Sequence, residues 1–408
     1  MKLERGFPIV TVTRKAQASI LAGHPWIYDT ELLKTEGPVQ NGGLVDVVSD
    51  KGRYLGTGFL SEHSKIRVRL LSRNANDRFD EAFYERRLRH AWDYRKTVMG
   101  SDLSCCRIIF GEADQFPGLT VDRFGDILVA QTLSIGMERI KHLLFPLLCR
   151  ILCEDGQEIR GLYERNDVAI RELEGLEQYK GWFDLPGREH PSSTQTTIVE
   201  NGVTYGVDFE NGQKTGFFLD QKYNRQAVAR LAYGKRVLDC FTHTGSFALN
   251  AALGGAAHVC AVDVSESAID MARANARRNG LEDRMSFQVA NVFDLLPSLE
   301  HSSEKYDFII LDPPAFTKSR RTAESAMRGY KEINLRAMKL LPRGGYLATC
   351  SCSHFATDPL FRSMLQSAAH DASVQLKQIE ARQQSPDHPI LWNVEETNYL
   401  KFYLFQVV

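Results

Sequence analysis

Between Lys235 and Ser351 the chain alternates short apolar runs with helical stretches. The order is KRVLDCF, a helix to Gly254, HVCAVDV, a helix to Asn279, MSFQVANVF, FIILD, a helix around 325–341, and GGYLATCS. Strands spaced by helices in this way form a parallel sheet covered on both faces, so the fold class is α/β. Ligands of such sheets sit at the carboxyl ends of the strands. The residues that close each apolar run therefore bear on function more than those within it.

The remainder reads differently. Residues 1–73 show short strands with Gly-rich turns (FPIVTVT, GGLVDVVSD, GRYLGTGFL, SKIRVRLLS) and one helical segment, RKAQASILAG, closing at Gly23. Short strands without long helices between them fit a small β-barrel. Residues 74–190 read as a small central α+β domain. It has a basic helix from Asp80 to about Val98, two strands around a Phe-Pro-Gly turn in RIIFGEADQFPGLTVDRFGDILVAQTL, and a helix near 137–153. A polar stretch, LPGREHPSSTQTT, reads as a linker into the last domain, 191–408, which starts with a hairpin (196–209) about Asn201-Gly202. The net charge of −1 excludes a tail-driven polyelectrolyte binder. Locally, the first hundred residues carry 17 Lys and Arg against 12 Asp and Glu, a mildly basic balance that fits contact with phosphates or ordinary solvated surface. The longest apolar segment, HLLFPLLCRILC, is interrupted by Pro146 and Arg150 and is too short to span a bilayer. Eight cysteines show no framework spacing. A soluble, cytoplasmic protein with free thiols and no membrane contact is expected.

The first strand of the α/β region ends VLDCFTHTGSF and lacks the G-x-G-x-x-G of dinucleotide sites. An acid, Asp239, closes it, and a single glycine, Gly245, opens the next helix. A carboxylate there would repel a pyrophosphate but attract the ammonium and sulfonium of S-adenosylmethionine. Asp263 ends the second strand at the offset where an acid takes ribose hydroxyls, and Ser265 can cap the following helix. Either acid alone could be a plain turn residue.

Two further strand ends carry chemistry. FIILDPPAF places Asp312 on a rigid Asp-Pro-Pro turn, and GGYLATCSCSH places Cys350 and Cys352 at the end of another strand. Three readings of the cysteines compete. Zinc held by C-x-C-x-H lacks a fourth ligand, so no metal is indicated. Two buried apolar thiols would be a packing feature. A thiolate nucleophile, with Asp312 binding or protonating ring nitrogen 3, would add to carbon 6 of a pyrimidine and make carbon 5 nucleophilic toward a methyl sulfonium. Cys352, nearer the strand's carboxyl end, is favoured over Cys350 as the nucleophile.

The strand-end acids, Gly245 and LDPP resemble class I S-adenosylmethionine-dependent methyltransferases. That resemblance implies a Rossmann-like domain with a mostly parallel seven-stranded sheet. It places Asp239, Phe241 and Gly245 along the methionine end and Asp263 at the ribose. Asn291 falls where the family usually carries an adenine-contacting Asp, with Asp294 as the nearby alternative. LDPPAFTKS, RGYKEINLRAMKLL, SCS and FFLDQKYNR, with GHPWIYD in an N-terminal PUA-like barrel, look more narrowly like bacterial 23S ribosomal RNA 5-methylcytosine methyltransferases, over the whole chain. The narrower resemblance implies Cys352 as the catalytic cysteine, with Cys350 outside the motif. It implies Gln221 and Asp312 at the cofactor site and 23S ribosomal RNA as partner, and it allows a homodimer. Unlike many RNA cytosine methyltransferases, the DPP turn carries no second cysteine.

For the RNA surface, Lys318, Arg320 and Arg321 after the DPP turn could hold phosphates or simply form a solvated loop. Arg67 and Arg69 share one face of a strand, with Trp26 and Tyr28 as stacking platforms or core residues. The rival functions are methylation of uracil carbon 5 or of a guanine nitrogen, and RNA binding without turnover in ribosome assembly.

Overall fold

The computed structural model describes residues 6–302, 304–317 and 320–408. They form two compact units. The first comprises the chain up to Ile198 with Val207–Leu219 and Pro386–Thr397, and the second comprises Val199–Gly206, Asp220–Ser385 and Asn398–Val408. Among the described residues no helix is long and apolar enough to cross a membrane.

The first unit holds two sheets. One has six strands, in the spatial order Trp26–Tyr28, Ile66–Ser72, Tyr54–Leu60, Leu44–Ser49, Ile9–Val12 and Leu32–Glu36. Val10, Val12, Ile27, Val45, Val47 and Val68 fill its core together with Ile20 of the helix Arg14–Leu21. The second sheet runs Tyr179–Phe183, Gly161–Asn166, Ile127–Thr132, Leu119–Phe124 and Cys105–Phe110. The helices Glu81–Met99 and Ile135–Glu154 accompany it. Where the sequence suggests two strands around Phe-Pro-Gly there are three. Gly125, at φ 66°, supplies a second tight turn that divides the long apolar run.

A hairpin of Gln195–Glu200 and Val203–Asp208 turns at Asn201 (φ 53°) and Gly202 (φ 80°), the paired positive φ values of a type I′ turn. The second unit is a seven-stranded sheet. In chain order its strands are β1 (Arg236–Cys240), β2 (His258–Asp263), β3 (Met285–Val289), β4 (Phe308–Leu311), β5 (Tyr346–Ser351), β6 (Leu376–Arg382) and β7 (Lys401–Val407). The spatial order is β3-β2-β1-β4-β5-β7-β6. The first five strands are parallel, and β7 runs antiparallel between β5 and β6. Six helices alternate with them: α1 (Lys222–Leu231), α2 (Ser246–Leu253), α3 (Glu266–Arg278), α4 (Val292–Glu300), α5 (Ala323–Leu340) and α6 (Asp358–Asp371). On one face Leu238, Val262, Ile309, Leu311 and Leu347 pack with residues of α4, α5 and α6. The reading of MSFQVANVF as one strand is corrected: β3 stops at Val289, and Asn291 begins α4 by accepting from the Phe293 N–H. Asn competes for capping and ends an otherwise apolar run.

Candidate active site

Asp239, wholly buried in β1, accepts through one oxygen, Oδ2, from the Thr242 hydroxyl (2.6 Å) and the Ala248 N–H (2.9 Å). Its other oxygen, Oδ1, is buried without a hydrogen-bond partner. Burial, with further help from the charges of Asp312 and Asp263, pushes its carboxyl up to about 8. An acid in that state lacks only a cation, and the ammonium of a methionine moiety would satisfy both the orphaned oxygen and the charge. Asp263, at the end of β2, is half-buried and accepts from the His243 and Ser265 N–H groups at 2.9 Å each. Two backbone donors fix the carboxylate's orientation and leave lone pairs for hydroxyl groups. The turn between them is strained: Phe241 sits at φ 65° and His243 at φ 51°. Gly245 (φ 83°) caps α2, and a Cβ there would lie 3.1 Å from the Cβ of Ala272 on α3. A side chain at 245 would thus be strained and crowded.

Asn291 and Asp294 are exposed at the start of α4. The Asn291 oxygen that could accept from an adenine amino group already accepts from the Phe293 N–H at 3.0 Å. An adenine contact there would have to share that oxygen.

Asp312 follows β4. Gln221 Nε2 donates to its Oδ1 at 3.0 Å, and the buried Gln221 is itself held by Asn224 Nδ2 at 2.6 Å. The Asp312 side chain keeps some exposure, but the protein packed around it desolvates the carboxyl. That burial, then the charge of Asp220, raise it to about 6, while Arg225 and hydrogen bonds from Gln221 and Cys350 oppose the rise. A carboxyl poised near neutrality can donate a proton as well as accept one.

The two cysteines have separate surroundings. Cys350, in β5, is fully buried; burial first, and Asp312 second, push its thiol well above the usual range. Cys352 lies one residue past the strand end and is half-exposed. Its neighbours are tied down: Ser351 Oγ donates to the Tyr330 hydroxyl at 3.1 Å and Ser353 Oγ to the Thr317 carbonyl at 3.0 Å. Phe316 packs between Tyr330 (centroids 4.6 Å apart) and Phe293 (5.7 Å), with Phe241 at 6.4 Å. The DPPAF turn is thereby anchored beside both the first strand's turn and the cysteine turn. Leu311 pairs with Thr349 in the parallel ladder, which sets Asp312 level with the cysteine strand's end.

The structure therefore gathers Gln221, Asp239, Phe241, Gly245, Asp263, Asp312 and Cys352 at one edge of one sheet. The expected basic residues fare differently. Lys318 lies outside the described residues, as does the side chain of Arg320; Arg321 is exposed. Arg67 donates to the carbonyls of Ser61 and Glu62. Arg69 pairs with the buried Glu174 at 2.8 Å and donates to Ile66 O, so its charge is compensated inside the first unit. Trp26 is half-buried with its indole N–H on Glu112 at 2.9 Å. Asp220, Tyr330 and Lys401 also belong to the site's surroundings; Asp220 and Tyr330 fall within the FFLDQKYNR and RGYKEINLRAMKLL segments without being singled out, and Lys401 lies in no motif.

Comparison with known proteins bears on the family and the fold. Residues 188–406 match a family described as S-adenosylmethionine-dependent methyltransferase, and residues 10–73 match a PUA-like domain. Ribosomal RNA large subunit methyltransferase I of Klebsiella pneumoniae is 38% identical over 404 residues, covering 98% of this chain and 99% of its own. The protein of the same name from Erwinia tasmaniensis is 39% identical over 396 residues, covering 96% and 97%. A solved S-adenosylmethionine-dependent methyltransferase from Streptococcus mutans is 23% identical over 98% of this chain and 99% of that one, with TM-score 0.80. A methyltransferase structure complexed with S-adenosylhomocysteine matches to the same degree. At that identity the likeness concerns the fold.

Proposed function

The chain belongs to the ribosomal RNA large subunit methyltransferase I family of S-adenosylmethionine-dependent methyltransferases, and on that premise we propose that it methylates carbon 5 of a cytosine in large-subunit ribosomal RNA through a cysteine–base adduct. The observation that carries the reading is the placement of a half-buried cysteine, Cys352, and a carboxyl poised near neutrality, Asp312, at adjacent strand ends.

S-adenosylmethionine, when bound, supplies a methyl group on a sulfonium. Asp239 Oδ1 suits its ammonium and Asp263 its ribose, with Gln221 keeping Asp312 in place alongside. The Cys352 thiolate adds to carbon 6, the carbon 5–carbon 6 π electrons move toward nitrogen 3, and Asp312 gives its proton to that nitrogen. Carbon 5, now part of an enamine, would be the nucleophile toward the methyl carbon, and the S–CH3 bond would break to leave a neutral thioether. The carbon 5 proton then leaves to a base, the sulfur–carbon 6 bond breaks, and nitrogen 3 returns its proton to Asp312. Cys350, buried and with its thiol raised, is unsuited to the nucleophile's role. The target base must leave any stack to reach the thiol. Arg321 and the basic loop around it would hold RNA phosphates.

The test is methyl transfer from labelled S-adenosylmethionine into large-subunit ribosomal RNA lacking the modification, followed by nucleoside analysis, with wild type and Cys352→Ala in parallel. Label in 5-methylcytidine from the wild type alone supports the reading. Label in a guanosine product, or transfer undiminished by the substitution, overturns it.

A further inference from the structure

Lys401 opens β7 opposite Ser351 in the antiparallel ladder with β5, so it arrives from the far end of the chain beside the turn that carries Cys352. The residue is only 6% exposed. The ammonium donates to the Ser353 carbonyl at 2.6 Å and to the Tyr399 carbonyl at 2.8 Å. Two backbone carbonyls satisfy two of its three N–H groups but supply no counter-charge. Among the described residues the charges that act on it are first Cys352 and then Asp358, and Asp358 is already engaged by Arg362 at 3.1 Å and by the Tyr403 hydroxyl. Burial pulls Lys401 down to about 8, and Cys352 opposes that fall.

A buried ammonium without a paired carboxylate is costly, and an apolar residue would fill the same space at less cost. The arrangement makes sense if an anion forms next to it. Among the described residues, the titratable groups near Cys352 include Tyr330 from α5, Asp312 after β4, Cys350 within β5, and His354 in the following turn. An ionised Asp312 would disfavour a thiolate, Tyr330 and Cys350, both raised and so uncharged near neutral pH, add no charge, and the Lys401 ammonium would favour one.

We propose that Lys401 is a positioning residue for Cys352: its ammonium clamps the turn after β5 through the Ser353 carbonyl and holds the neighbouring sulfur as thiolate. The catalytic consequence rests on Cys352 being the nucleophile, whereas the thiolate itself does not.

The experiment uses the full chain without RNA. The rate of iodoacetamide alkylation at Cys352 is followed against pH by peptide mass spectrometry in wild type, Lys401→Met and Lys401→Arg, with S-adenosylhomocysteine binding as the check on folding. The wild-type midpoint is expected below the ordinary thiol value of about 8.5. Lys401→Met should move it upward and slow alkylation near neutrality on the order of tenfold, and Lys401→Arg should restore most of the rate. A wild-type midpoint at or above the ordinary value overturns the proposal even if Lys401→Met does not fold. So does a folded Lys401→Met with an unchanged midpoint. Methyl transfer surviving in Cys352→Ala would instead defeat the carbon 5 reading and leave the alkylation result standing.

Discussion

Asp239→Asn isolates the most costly group in the cofactor half of the site. In the free protein the Asp239 carboxyl is raised to about 8 by burial, far above the roughly 3.9 of an unfolded chain. The folded state therefore holds a proton that the unfolded state has released. Stability from this group is full below the unfolded value, is lost as pH rises, and levels off above about 8. Within that window each pH unit costs about 1.4 kcal/mol, so a rise from about pH 5.5 to about pH 7.5 costs the wild type about 2.7 kcal/mol. Asp312 responds to the same charge and shares part of the change, leaving on the order of 2 kcal/mol. Asn keeps an oxygen for the Thr242 and Ala248 donors and does not ionise. Urea denaturation of both proteins across this range should show the variant gaining on the wild type by that amount as pH rises. Calorimetry should show S-adenosylhomocysteine binding weakened by about 2 kcal/mol, because a neutral amide cannot meet the ammonium. A stability difference that is flat with pH, or unchanged affinity, would refute both the raised carboxyl and its assignment to the cofactor.

Three other outcomes follow from the same geometry. Asp312→Asn should leave S-adenosylhomocysteine affinity nearly intact and cut turnover strongly, and the wild-type kcat/KM should fall as pH rises through about 6, because the protonated carboxyl is the active form; collapsed cofactor binding would move Asp312 to the cofactor site. Gly245→Ala should destabilise the protein by about 1–3 kcal/mol in urea denaturation, since φ 83° and the Ala272 Cβ at 3.1 Å both oppose a side chain. Arg69→Ala should lower stability by about 3 kcal/mol by stranding the buried Glu174, with little change in the salt dependence of RNA binding measured by filter retention.

The placement of the strand-end acids was legible because each closes an apolar run whose period and length mark a buried strand, so the position of Asp239, Asp263 and Asp312 along the chain is also their position at the carboxyl ends of β1, β2 and β4. Gly245 was legible for a related reason, since a lone glycine between strand and helix marks a tight entry. What the sequence did not show has a common physical origin in long-range pairing. The alternation of Arg67 and Arg69 shows that they share a face, but Glu174, which neutralises Arg69, lies about a hundred residues away. Lys401 has no local signature; its meaning comes from β7 inserting beside β5. The apolar run MSFQVANVF fits a strand or the start of a helix equally well by composition, and only the Asn291 cap decides between them.

Carbon 5 methylation by this route requires a covalent bond between Cys352 and a cytosine. Large-subunit ribosomal RNA fragments carrying 5-fluorocytidine test it most directly, because fluorine at carbon 5 blocks the proton loss that would release the thiol. In the presence of S-adenosylmethionine the wild type should form a complex that survives denaturing electrophoresis, with mass spectrometry placing the cross-link at Cys352, and Cys352→Ala should form none. An adduct at another residue, or methylated RNA from the wild type with no trapped complex on the fluorinated substrate, would contradict the account.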